Sequence, residues 1–215
     1  ARLRLLAGDA AEVLNFGMPG FNTENELLAY RKLVRPAQPD VVVVGFGAAG
    51  ACAAAQAAEE GAETLVLERA WRGGGTSAES TGQIYMGGGT PLQKANGFDD
   101  DPDEMAKYLV ASCGPGADEA KIRLFSDRSV EHFHWITDKG IEFQPGFMPY
   151  EVSTMPDVGI GLTYTGSERA YPFCEIARPA PRGHNVTQDG VPSGELLMQT
   201  LMQAAQAAGA AIQPE

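Results

Sequence analysis

The sequence predicts an α/β protein in which a parallel sheet is covered by helices, and three observations carry that expectation. Val41, Val42, Val43 and Val44 form an unbroken β-branched run. A strand buried on both faces takes this form, because a parallel sheet between helices has no solvated side. The stretch from Ala48 to Glu60 consists largely of small residues and closes on Gly61, which reads as a helix able to lie close on its strand and ended by a C′ glycine. Thr64 to Leu67 is a second short apolar stretch, completing a β-α-β unit.

Residues 1–39 lead into the first strand. Thr23 and Glu26 have the spacing of a capping box, and Leu27, Leu28, Tyr30, Leu33 and Val34 follow before Pro36. This predicts a helix from about Glu24 to Val34, with Arg35 to Pro39 as a linker.

Between the first strand and its helix stand Gly45, Gly47 and Gly50, spaced G-x-G-x-x-G, and Glu68 ends the second strand 18 residues after Gly50. Strand, glycine turn, helix, strand and acid in this order form a dinucleotide fingerprint. Gly45 permits the tight turn. Gly47, without a Cβ, lets a pyrophosphate come against the backbone. Gly50, with Ala51, Ala53, Ala54 and Ala57, lets the helix settle on the strands. The helix N-terminus at Ala48 and Ala49 offers N–H groups and a partial positive charge to phosphates. Glu68 can accept hydrogen bonds from both ribose hydroxyls of an adenosine, and its charge repels a 2′-phosphate, which disfavours NADP. Two other readings compete. One is a packing turn that binds nothing. The other is a membrane span, since Val41 to Ala58 carries no charge over 18 residues. Three glycines, Gln56, acidic flanks and barely enough length to cross ~30 Å count against it.

After Glu68 and Arg69 comes a second informative stretch, with seven glycines in the 17 residues from Gly73 to Gly89. Thr76, Ser77, Ser80 and Thr81 lie among them, so this backbone approaches something closely and offers many donors. Ile84, Tyr85 and Met86 argue against a flexible linker. Asp101, Pro102 and Glu104 mark a helix start, which explains the acidic run Asp99 to Glu104 by capping and dipole rather than by metal binding. That helix ends near Ser112. A second is expected from about Asp118 to Gly140, with Ile122, Phe125, Ser129, Phe133 and Ile136 on one face. His132 and His134, two apart on it, point to different sides and do not form a metal site.

From Ile141 to Pro192 the pattern loosens into an irregular excursion rich in proline, glycine and aromatics, among them Phe143, Phe147, Tyr150, Tyr164, Tyr171 and Phe173. ARPAPRGH, from Ala177 to His184, reads as a surface loop with solvated charges, in which Arg182 or His184 could alternatively approach an anion. Ser193 is placed to cap a helix from Glu195 to Ala208 with Leu197, Leu201, Ala204 and Ala208 on one face. Gly209 closes it, and Ala210 to Ile212 begins a third parallel strand. The expected organisation is therefore a lead (1–39), a nucleotide-binding β-α-β unit with its glycine loop (40–97), a helical and irregular insertion (98–192), and a return to the sheet (193–215). An ending in mid-pattern and the lack of an initiator Met point to a piece of a longer protein.

A formal net charge of −12 argues against nucleic acid or an anionic membrane surface as partner. Cys52, Cys113 and Cys174 are odd in number, scattered and in no metal spacing, as suits free thiols in a reducing cytoplasm. ARLRLLAGDA is too short and too early interrupted to be a secretory signal. Nothing in the chain fixes an oligomeric state.

DVVVVGFGAAG, Glu68-Arg69, GGGTSAESTGQIYMGGGT and PRGH together resemble the flavoproteins of the fumarate reductase and 3-ketosteroid dehydrogenase superfamily. IYMGGGTPLQKANGFDD, GPGADEAKI, SVEHFHW and ARPAPRGH are most similar to its 3-oxosteroid 4-dehydrogenase branch. The resemblance runs from about Asp40 to the end. It implies a Rossmann-like, glutathione-reductase-type parallel sheet, incomplete in this chain, and FAD as cofactor. The adenosine would rest on Glu68, next to Arg69, the pyrophosphate over Gly45 to Gly50, and the flavin end along Gly74, Gly75, Thr76, Ser77, Ser80 and Gly82. The family has two glycines where this chain has Thr81-Gly82. The family's catalytic tyrosines and serine lie beyond residue 215, so the resemblance implies no catalytic residue here. The implied reaction removes a proton beside a ring ketone of a steroid-like substrate and passes hydride from the β-carbon to the flavin. A fumarate reductase-like enzyme acting on a dicarboxylate, and a module that binds FAD or NAD without chemistry, are the alternatives.

Overall fold

The computed structural model describes residues 13–15, 38–149, 159–186 and 193–214. The helix expected from Glu24 to Val34, and Tyr150, lie outside these residues. The chain forms two compact units, Ala1–Glu79 with Leu197–Glu215, and Ser80–Leu196.

The first unit holds four parallel strands: β1 (Val13–Asn15), β2 (Val41–Val44), β3 (Thr64–Glu68) and, last in the chain, β8 (Ala211–Pro214), adjacent in that order. β2 and β3 are in register from Val41 against Thr64 to Val44 against Leu67. The third strand expected near Ala210 is β8, with Ala211 opposite Leu65. β1 is not visible to patterning, since three residues are too few for a period. Helix α1 (Ala48–Glu59) joins β2 to β3 and buries Gly50, Ala51, Ala54, Ala55 and Ala58, so small side chains bring it close to the sheet. It ends in a Schellman motif, as Gly61 suggests. The Gly61 amide donates to Ala58 (3.0 Å), the Ala62 amide to Ala57 (3.1 Å), and Gly61 has φ +88°. After a short helix α2 (Gly75–Ala78), the unit is rejoined by α8 (Gly194–Ala207). The buried face of α8 runs Leu197, Met198, Leu201 and Ala205, so Ala205 continues it rather than Ala204 or Ala208. Ser193 precedes α8, but its hydroxyl is buried without a partner among the described residues and caps nothing.

A Cβ added at Gly50 would overlap the carbonyl oxygen of Gly45, whereas one at Gly61 would meet nothing. Gly50→Ala is therefore expected to cost about 3 kcal/mol, because backbone cannot step aside. Gly61→Ala should cost about 1 kcal/mol, the penalty of a left-handed alanine. Thermal unfolding of the two variants checks the order.

The second unit departs from the sequence reading. In place of an irregular excursion it contains a four-stranded sheet, β4 (Gln83–Tyr85), β5 (Gly146–Met148), β6 (Ile160–Thr163) and β7 (Gly183–Asn185), in the order β4-β7-β6-β5. β7 is antiparallel to both neighbours and β5 is parallel to β6. The strands are short and carry glycines where another chain segment presses in. A Cβ at Gly161 would run into the backbone of Gln144, and one at Gly183 into Gln83 and Thr163 (both 2.9 Å). Such glycines erase the alternation that marks a strand. Helices α3 (Pro91–Ala95), α4 (Pro102–Cys113), α5 (Glu119–Asp127), α6 (Ser129–Asp138) and α7 (Phe173–Ile176) complete the unit. Asp101 caps α4 by accepting from the Glu104 amide (2.9 Å). The single helix expected from Asp118 to Gly140 is instead two, interrupted at Arg128, which closes α5 and opens α6. Phe125 is 43% exposed and drops out of the predicted face. Met86, Leu92, Phe133 and Leu162 form the core, with Phe143 and Phe147 packed on it. Tyr171 is 78% exposed. Among the described residues no helix is long and apolar enough to cross a membrane.

Candidate functional site

The fingerprint residues meet at the carboxyl ends of β2 and β3. Gly45, with φ +92°, turns the chain while its amide donates to Leu67 (2.8 Å). Phe46 then becomes the hub of the mouth. Its amide donates to Glu68 Oε2 (2.6 Å), its carbonyl accepts from the Gly74 amide (2.8 Å), and its side chain is buried. The other Glu68 oxygen, Oε1, accepts from the Ala70 amide (2.8 Å). The carboxylate therefore stands half-buried at the opening of α1. Sequence reasoning passed over Phe46, because the second position of G-x-G-x-x-G tolerates any residue and the role here is carried by backbone.

Gly47 is the N-cap position of α1 and brings no capping side chain of its own. The Ala48 amide donates to Ser77 Oγ (3.3 Å), which draws the glycine loop over the helix start. Ala49 is exposed and Gly50 buried. A Cβ at Gly47 would make only ordinary contacts, at 3.6 Å from Ser77 Oγ and 3.9 Å from Gly74. The chain's own packing thus does not demand glycine there. Gly73 and Gly74 differ. A Cβ at Gly73 would strike Phe46 and Met202 (2.6 Å each), and one at Gly74 would strike Ala78 (2.8 Å), so both let the loop close on protein. Arg69, Gly75 and Thr76 are exposed.

Ser80, Thr81 and Gly82 belong to the second unit. The Ser80 hydroxyl accepts from the Gly82 amide (3.2 Å). Thr81 is exposed. Gly82 is buried at φ +70°, where a Cβ would meet the Ser193-Gly194 backbone.

The same unit contains a buried polar network that sequence reasoning placed at the surface. Arg182 and His184 are both 0% exposed, which overturns the solvated-loop reading of ARPAPRGH. Arg182 donates from Nε and Nη2 to the two oxygens of Asp100 (3.0 and 2.7 Å). Asp100 Oδ2 also accepts from the Gly88 amide (2.9 Å) and Gln93 Nε2 (3.0 Å). Capping explains Asp101 in the acidic run but not Asp100, which serves this ion pair. Gln93 Oε1 accepts from the Gly89 and Thr90 amides (3.0 Å each), and the Ser129 hydroxyl accepts from the Gly87 amide (2.8 Å). The second glycine cluster is thereby pinned from three sides. No spacing rule joins residue 100 to residue 182. Tyr85 packs near this network, and burial pushes its phenol well above the usual range.

His184 Nδ1 lies 3.1 Å from the Arg182 carbonyl and Nε2 2.9 Å from Thr90 Oγ1. A carbonyl only accepts, so Nδ1 carries the proton and Thr90 donates to Nε2. Burial pushes this imidazole down to about 4. Because its folded value lies below the unfolded value of about 6.5, its contribution to stability is full above the unfolded value and drains away as pH falls toward the folded one. Between pH 7 and 4.5 the loss is expected to be about 2 kcal/mol from this residue. Comparing the pH dependence of unfolding in wild type and His184→Asn checks it, since the variant should lack that share of the slope.

Residues 40–215 match the FAD binding domain family. The chain belongs to that family. It is 36% identical over 176 residues to 3-oxo-5-alpha-steroid 4-dehydrogenase of Comamonas testosteroni, an alignment covering 80% of this chain and 32% of that protein. It is similar to the crystal structure of 3-ketosteroid-Δ4-(5α)-dehydrogenase from Rhodococcus jostii RHA1, with TM-score 0.79 and 46% identity, over 82% of this chain and 37% of that one. An open-conformation flavocytochrome c3 fumarate reductase, at 23% identity and TM-score 0.63 over 91% of this chain and 30% of that one, shares the fold. The chain thus spans about a third of the length of these relatives. FAD is the ligand of the family, and the mouth fits it: a residue without a Cβ at the N-cap of α1 suits the close approach of a diphosphate to a helix N-terminus, and a carboxylate at the end of β3 suits a ribose.

Proposed function

We propose that this chain is the FAD-binding part of an oxidoreductase that dehydrogenates a CH–CH bond beside the ring ketone of a 3-ketosteroid-like substrate. In this reading Glu68 accepts hydrogen bonds from the adenosine ribose and the α1 end from Gly45 to Gly50 receives the pyrophosphate. Arg69, Gly74, Gly75, Thr76, Ser77, Ser80, Thr81 and Gly82 follow the cofactor toward its flavin end. The parallel sheet is of the glutathione-reductase type, with residues 98–192 lying within an insertion. The observation that carries the cofactor assignment is the Glu68 carboxylate 2.6 Å from the Phe46 amide, at the opening of a helix whose N-cap position is Gly47. Similarity at 46% identity to a 3-ketosteroid-Δ4-(5α)-dehydrogenase supports the substrate class. The fumarate reductase likeness, at 23%, supports only the shared fold.

When bound, FAD supplies the hydride acceptor. The residues of this chain hold and orient it, and the groups that polarise the ketone and remove the proton are assigned to none of them. Three thiols free of disulfides are consistent with a reducing compartment such as the cytoplasm. The test is turnover by the full-length natural protein with an artificial electron acceptor. It should purify with flavin absorbance and reduce the acceptor with a saturated 3-ketosteroid, not with succinate. Succinate turnover, or protein without flavin, would contradict the proposal.

A further inference from the structure

The mouth at Glu68 accounts for a ribose and a diphosphate but leaves the base of the nucleotide without a seat. Beside Glu68, within the first unit, lies a cleft of about 340 Å3 lined by the loop after β3 and by α8. Trp71 lines it and is 81% exposed. The Arg72 guanidinium sits 5.3 Å from the centre of its ring. An indole covered on one face and still this exposed has its opposite face open to solvent. From α8, Gln203 and Gln206, three residues apart and both exposed, line the same cleft with Met202, and Ile212 of β8 adds apolar surface.

These groups suit one kind of ligand. A flat, open aromatic face stacks on a heterocyclic base. A carboxamide carries an acceptor and a donor side by side, matching the N6 amino group and N7 of adenine. Hypoxanthine and guanine present an oxygen at the sixth position and lose one of those two bonds. We infer that this cleft reads the adenine of the cofactor, with Trp71 stacked on the base and Gln203 and Gln206 hydrogen-bonded to its amino edge. The inference rests on the ribose lying at Glu68.

The experiment measures ADP and inosine diphosphate binding by calorimetry to the flavin-free form of the full-length natural protein. Wild type should prefer ADP about tenfold, the worth of one buried hydrogen bond kept or lost. Trp71→Ala should weaken ADP about tenfold or more, as loss of base stacking does, and Trp71→Phe should restore most of it. Gln203→Ala/Gln206→Ala should abolish the preference for ADP, weakening ADP more than inosine diphosphate, which has one of those bonds fewer to lose. Circular dichroism confirms that each variant is folded. If Trp71→Ala binds ADP like wild type while Glu68→Ala is impaired, the base sits elsewhere and the inference fails with the ribose site intact. If Glu68→Ala is also unaffected, the nucleotide reading itself fails.

Discussion

Glu68→Ala in the full-length protein is expected to weaken FAD binding by about two orders of magnitude, because two charge-assisted hydrogen bonds to one ribose are lost together. The carboxylate is already oriented for this by the Phe46 and Ala70 amides, so little ordering cost offsets its contribution. Glu68→Gln retains one acceptor oxygen and loses the charge, and should fall between, near tenfold. Equilibrium dialysis of flavin against the apoprotein measures both. The order wild type, Gln, Ala is the signature, since a purely structural role in holding Phe46 would appear as a lowered melting temperature of the apoprotein.

The largest effect on stability is expected at the buried ion pair of the second unit. Asp100→Ala strands the guanidinium of Arg182, which cannot shed its proton, in a place with 0% exposure. The loss should be about 4 kcal/mol. Arg182→Met leaves Asp100 with the Gly88 amide and Gln93 Nε2 as donors, and a carboxyl can take up a proton, so about 2 kcal/mol is expected. The double variant Asp100→Ala/Arg182→Met should be more stable than Asp100→Ala alone, because the stranded charge has gone. Chemical denaturation of the three variants decides this, and simple addition of the two losses would contradict it.

The parts of the fold that sequence made legible share a feature: their cause is local. Four valines in a row, a small-residue helix and a glycine one position past its end each act within a few residues, and β2, α1, Gly61 and β3 stand where they were expected. So does the Asp101 cap. What escaped was made by contacts remote in sequence. The second sheet pairs Ile84 with His184 and Leu162 with His184, across strands too short and too glycine-rich to show a period. Arg182 and His184 look like a solvated pair in isolation, since charge near proline and glycine normally marks a loop. Asp100 and Thr90, remote in sequence, help make their burial tolerable. The helix broken at Arg128 follows the same rule. Its apolar spacing is continuous, yet the interruption brings the Ser129 hydroxyl to the Gly87 amide, a partner 42 residues away. At the mouth, sequence identified the glycines and the acid by their spacing, but not the role of Phe46, which is exercised through backbone.

The measurement that bears most directly on the account is a crystal structure of the full-length protein with FAD bound. Both adenosine ribose hydroxyls should lie within about 3 Å of the Glu68 carboxylate, with the diphosphate against the Gly47 backbone at the start of α1. A cofactor whose ribose is held elsewhere, with Glu68 bonded only to the Phe46 and Ala70 amides, would contradict it.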